Sequence, residues 1–114
     1  MTSNPYESRI FRIDRFVVPA ASEEEFLRTV AETNTAFDGM EGCLQRHVLK
    51  QQSASGSNVY MTVVEWASEA AIQKAREAAA AKHAQMNLNP QEMFQRLEIE
   101  AELGNFVPAF GHSA

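Results

Sequence analysis

A single cysteine, Cys43, is present in 114 residues. It cannot close an internal disulfide, and nothing else in the sequence points to an oxidising compartment. Basic residues are few: ten Lys and Arg stand against 15 Asp and Glu, for a formal net charge of -5. No basic run occurs, so nucleic acid is not an expected partner. No apolar stretch reaches the length of a membrane span. Met1 to Arg9 is too polar for a signal peptide. The expected location is therefore the cytoplasm, with no membrane partner. The chain has no Gly-rich phosphate loop. It also has no His, Cys, Asp and Glu at zinc or non-haem-iron spacing, so no metal is expected. Cys43 lacks a His partner by sequence, which leaves a thiol nucleophile without a base.

What is present is a strand and helix alternation of one-domain length. Ile10 to Val18 is β-rich, carries apolar groups on both parities and stops at Pro19. Such a strand belongs in the middle of a sheet. Ser22 and Glu25 have the spacing of a capping box, and Phe26, Val30 and Phe37 form a helical stripe that Gly39 and Gly42 end. Cys43 to Gln51 alternates as a half-solvated edge strand. The polar segment from Gln52 to Asn58 reads as a hairpin loop. Val59 to Ala67 is again apolar on both faces. Ser68 caps a second helix with a stripe of Ile72, Ala75, Ala79, His83 and Met86. Asn89, Pro90 and Glu92 read as the start of a short extra helical turn. From Arg96 to Phe106, Leu97, Ile99, Ala101 and Leu103 alternate with Glu98, Glu100 and Glu102, as in an edge strand with one buried face.

The order βαββαβ, with two-sided first and third strands, defines an α+β ferredoxin-like fold. Its four-stranded antiparallel sheet has spatial order 4-1-3-2 and both helices on one face. The other face would expose apolar side chains in a monomer, so a homodimer with facing sheets is expected. Residues 1–8 read as a flexible lead-in, 9–107 as the domain and 108–114 as a C-terminal tail.

The segments Phe11-Arg12-Ile13-Asp14-Arg15-Phe16-Val17-Val18-Pro19, Glu25-Phe26-Leu27, Gly42-Cys43 and Thr62-Val63-Val64-Glu65-Trp66-Ala67-Ser68 resemble the antibiotic biosynthesis monooxygenase (ABM) domain family. The most specific element is the Glu-Trp-x-Ser junction after an apolar strand. The resemblance covers roughly residues 9–107 and implies a dimeric α+β barrel. The family includes oxygenases that attack polycyclic phenols without metal or flavin, haem-degrading enzymes, quinol oxygenases and members with no known reaction. In haem-degrading relatives a strand Trp works with an Asn on the first strand and a His on the second helix. Trp66 matches that Trp, the first-strand position holds Asp14, and the helix position falls at Arg76. A later family His near the end of the helix corresponds to His83. The cofactor-free oxygenases carry an Asn four residues before the Trp, where this chain has Thr62. These departures argue against haem degradation and leave quinone-forming oxygenation open.

The candidate site has Asp14 and His83 in catalytic roles, with Trp66, Tyr60, Thr62 and Arg76 binding substrate. Each has a structural alternative. Trp66 either packs the core or stacks a flat ligand between sheet and helix. His83 on its apolar stripe is either a packed histidine or a proton shuttle. Asp14 is either paired with Arg12, Arg15 or Arg46, or a base with a pKa raised by burial. A deprotonated phenol or hydroquinone can pass an electron to dioxygen itself, so no cofactor is required. The expected function is a cofactor-independent monooxygenase on a small aromatic, phenolic or quinol substrate. The alternative is a dimeric small-molecule-binding or stress-related domain without chemistry.

Overall fold

The computed structural model describes residues 8–52 and 57–110. Most of the N-terminal lead-in, the centre of the 52–58 loop and the end of the 108–114 tail lie outside them. The elements are β1 (Ile10–Pro19), α1 (Glu23–Asn34), β2 (Cys43–Lys50), β3 (Ser57–Trp66), α2 (Glu69–Gln85), α3 (Pro90–Arg96) and β4 (Glu100–Phe106). Short 3-10 turns, Ala20–Ser22 and Thr35–Phe37, flank α1. The sheet runs β2-β3-β1-β4, every pairing antiparallel. This is the expected ferredoxin-like order, with the two doubly apolar strands at the centre.

Register decides which side chains meet the helices. On β1 and β3, Ile10 pairs with Trp66, Arg12 with Val64, Asp14 with Thr62 and Phe16 with Tyr60. Side chains alternate along a strand, so these eight share one face. Ile10, Phe16, Val18, Tyr60, Val64 and Trp66 are buried there. The opposite face carries Phe11, Ile13, Val17, Val59, Met61 and Val63, all half-buried, with the edge residues Leu49 and Phe106 exposed beside them.

The helix side holds two separate clusters. One is Ile10, Val64, Trp66, Ile72 and Ala75; the other is Phe16, Val18, Phe26, Tyr60 and Ile99. Phe26 packs between Phe16 and Tyr60, with ring centroids 5.0 and 5.4 Å away. At the other end, α2 descends onto Gly42. A Cβ there would sit 2.4 Å from the Ala71 Cβ, so only glycine allows this approach. The Ala67 amide donates to the Gly42 carbonyl at 2.9 Å and fixes the turn into α2.

Two caps form as the sequence indicates. The Ser68 Oγ accepts from the Ala71 amide, and the Asn89 Oδ1 from the Glu92 amide, both at 3.2 Å. Ser22 does not form its capping box. The preceding 3-10 turn puts Ser22 in the helical region, and its hydroxyl donates to the Leu97 carbonyl at 2.8 Å. Glu25 instead pairs with Arg96 at 2.5 Å, tying α1 to α3. The last strand starts later than Arg96. Helix α3 runs through Arg96, and Glu98, with φ 58°, turns the chain so that the Ile99 amide bonds the Phe94 carbonyl. Ile99 is buried in the second cluster, but Ala101 and Leu103 are exposed. The expected buried face of β4 is thus absent: the core clusters reach this edge only through Ile99.

Candidate functional site

The two core clusters are separated by a polar interval on the sheet. Between Ile10 and Phe16 the helix-side positions of β1 are Arg12 and Asp14, and the matching position of β3 is Thr62. These side chains cannot close the apolar layer beneath the helices, and two adjoining cavities lie over this interval. The larger, about 320 Å³, has Trp66, Val64, Arg12, Arg76 and His83 among its lining residues. The smaller, about 170 Å³, takes in Phe16, Phe26, Thr62, Phe94 and His83. Phe37, Val64 and His83 belong to both. The larger volume is at the lower end of the roughly 300–1,000 Å³ of small-molecule sites.

Of the six candidate residues, four line these cavities: Trp66, Arg76 and His83 the larger, and Thr62 and His83 the smaller. Trp66 is only 2% exposed. Its ring is edge-on to Phe37 at a centroid distance of 5.2 Å and an interplanar angle of 85°. It is therefore core on one side and cavity wall on the other. His83 sits where the cavities meet, and burial pushes its imidazole below the ordinary histidine value. The uncharged form is therefore favoured near neutral pH.

Asp14 stands behind the wall. It accepts from the Arg12 Nε at 2.6 Å. Burial raises its carboxyl above the ordinary range, opposed by Arg12, the Gly104 backbone and the Thr62 hydroxyl. It reaches the cavities through Arg12 and Thr62, not directly. Arg46, another candidate partner for Asp14, binds the Asn34 carbonyl and Asp38 instead.

Tyr60 lies outside the group. It is 4% exposed in the second cluster, donates its hydroxyl to Glu23, and has Lys50 5.7 Å from its ring centroid. It shares a parity with Thr62 and Trp66, but it sits toward the far end of the strand, directly opposite Phe16. Sequence reasoning missed Phe37 as a wall and Arg12 as a cavity residue. The signal for Arg12 was its place on the helix-side parity of a strand apolar on both faces.

Among the described residues, no group of three or more His, Cys, Asp or Glu could hold a metal ion, and no helix is long and apolar enough to cross a membrane.

A ferredoxin-like sheet with a cavity under its second helix, walled by the Trp at the strand–helix junction, defines a class of small α+β domains. The antibiotic biosynthesis monooxygenase model matches residues 9–87, and the chain belongs to that family. The fold is similar to the cofactor-independent oxygenase SnoaB from Streptomyces nogalater, at 19% identity and TM-score 0.63, covering 90% of this chain and 95% of that one. It is similar to Rv0793 from Mycobacterium tuberculosis, at 16% identity and TM-score 0.67, with 90% and 97% covered. It is also similar to a variant of MhuD with two manganese protoporphyrin IX molecules bound per active site, at 24% identity and TM-score 0.64, with 92% and 99% covered. A sequence search among curated proteins returns no match.

Proposed function

We propose that this chain is a cofactor-independent monooxygenase that oxidises a small phenolic or quinol substrate held between sheet and helices. The observation that carries the reading is the apolar cavity under α2, with Trp66 and His83 both in its wall. Family membership supports the same chemistry.

The step requires a bound ring, a base and a dry site. The larger cavity supplies aromatic and aliphatic surface for the ring. Neutral His83 takes the phenolic proton, which leaves an electron-rich anion. That anion reduces dioxygen, a carbon–oxygen bond forms, and water leaves. Overall, a phenol and one dioxygen give a quinone and one water. The substrate supplies two electrons to the oxygen atom that departs as water, and the other oxygen atom enters the ring. Arg12 and Arg76 are the charged groups lining the larger cavity, while the Thr62 hydroxyl is engaged by Asp14. Asp14 acts through Arg12, fixing its guanidinium, and is a positioning residue in this scheme. The working unit is a homodimer with the open sheet faces packed together.

An oxygen-electrode screen of hydroquinones, naphthols and anthrones tests the reading, with labelled dioxygen to trace the atom entering the product. Uptake that requires His83 and incorporation of one labelled atom are expected. Ligand binding without any oxygen uptake would move the chain to the second reading, a binding domain.

A further inference from the structure

The larger cavity is apolar in shape but cationic in charge. Arg12 and Arg76 line it beside the uncharged His83, and no Asp or Glu does. This departs from the rest of an acidic chain. Of its ten Lys and Arg residues, seven are in ion pairs within the described residues. The remaining three are Arg15, Lys74 and Arg76, and of these only Arg76 lines the Trp66 cavity. The helix offers it no relief, because the positions three and four residues away are Ile72, Gln73, Ala79 and Ala80. Arg12 uses its Nε on Asp14, and its two terminal nitrogens have no hydrogen-bond partner among the described residues. Two guanidinium groups therefore edge a pocket whose other walls are Phe37, Val64, Trp66 and Ile72. A guanidinium presents paired N–H donors in a plane, the complement of a carboxylate.

We infer that the ligand of this cavity is an aromatic acid: a flat ring system against Trp66 and Phe37, with a carboxylate held between Arg76 and the terminal nitrogens of Arg12. The inference rests on the oxygenase reading for its chemistry but not for its binding test. It adds a substrate class, phenolic or quinol rings that carry an acidic substituent. It also assigns Arg12 and Arg76 to selection of that substituent, apart from the proton transfer at His83.

The test compares 1-naphthoate with its neutral isostere 1-naphthamide by titration calorimetry at low salt. The wild-type chain should bind the acid at least tenfold more tightly. Arg76→Gln should reduce that preference at least fivefold while the amide affinity stays within twofold. Lys74→Gln, which removes the same charge from the same helix outside this cavity, should leave the preference unchanged. Arg76→Lys should restore part of it. A wild-type preference under twofold, equal effects of Lys74→Gln and Arg76→Gln, or no heat with either probe would overturn the inference. Oxygen uptake separates the two readings. An intact acid preference with no uptake on any carboxylated hydroquinone would sink the oxygenase reading alone. Uptake on neutral hydroquinones without acid preference would sink this inference alone.

Discussion

Trp66→Ala puts the double role of the Trp to a quantitative test. The indole is 2% exposed, and it packs in a cluster with Ile10, Val64, Ile72 and Ala75. An aromatic of this size buries about 150–250 Å². At about 25 cal/mol per Å², that gives an upper limit near 4–6 kcal/mol. Truncations of buried Trp cost about 3–5 kcal/mol. The edge-on Phe37 contact contributes about 0.5–1.5 kcal/mol, and the existing cavity beside the ring lets water occupy part of the space vacated. The expected loss is therefore about 3–4 kcal/mol, within a total stability of about 5–15 kcal/mol. For a domain of this size that is a fall in Tm of roughly 12–20 °C. Far-ultraviolet circular dichroism with urea at fixed protein concentration is the assay, because the variant removes the only Trp. A loss below about 1 kcal/mol would refute the packing argument and make Trp66 a ligand wall with little structural work.

Further outcomes are expected at four places in the molecule. His83→Ala should lower turnover on an active hydroquinone about 10²-fold or more while binding is retained. Because burial depresses the His83 pKa, the wild-type rate should hold at neutral pH and fall only below about pH 6.5. A midpoint at or above that value in the pH–rate profile counts against His83 as the buried base. Ser22→Ala removes the hydroxyl bond to the Leu97 carbonyl and should cost about 1–2 kcal/mol in denaturant unfolding; no change would show that the serine does not anchor α3. Gly42→Ala drives a methyl into Ala71 and should cost about 1–3 kcal/mol, and an unchanged Tm would mean that α2 shifts freely. Light scattering should give twice the 12.7 kDa chain mass, and Met61→Asp on the open face should give monomers with unchanged circular dichroism; a monomeric wild type at micromolar concentration removes the homodimer.

The architecture was legible because strand parity is a local property. The apolar groups on both parities of Ile10–Val18 and Val59–Trp66 placed these strands in the middle, and pairing them fixed the order of the other two. Boundaries depending on contacts distant in sequence were not legible. Ser22 and Glu25 satisfy the capping-box pattern, yet each finds a better partner some seventy residues on, in Leu97 and Arg96. Glu98, with its positive φ, ends α3 without Gly or Asn to announce it, so Leu97 and Ile99 looked like strand positions. At the site, parity correctly grouped Thr62 with Trp66 and also drew in Tyr60. Parity does not say how far along a strand a cavity extends, and Tyr60, opposite Phe16, is packed against Phe26 in the second cluster.

The location of the cavity follows from the same alternation that builds the sheet. A helix layer of Phe, Ile and Ala can seal against a sheet only where the sheet is apolar. Here the helix-side positions read Ile, Arg, Asp, Phe along β1 and Trp, Val, Thr, Tyr along the paired β3. The ends seal and the middle does not. Arg12 and Asp14 offset much of each other's burial cost through their own bond, and Thr62 bonds to Asp14. The polar interval is therefore stable with the space above it open. Replacing Arg12, Asp14 and Thr62 with Leu, Val and Val would let the two clusters merge, at the loss of the cavity. A sealed core would carry apolar side chains at these three positions, so the polar interval accounts for the cavity more directly than Trp66 does. The aromatic wall packs against Phe37 and Ile72; the polar floor beneath α2 is what leaves the space above it unsealed.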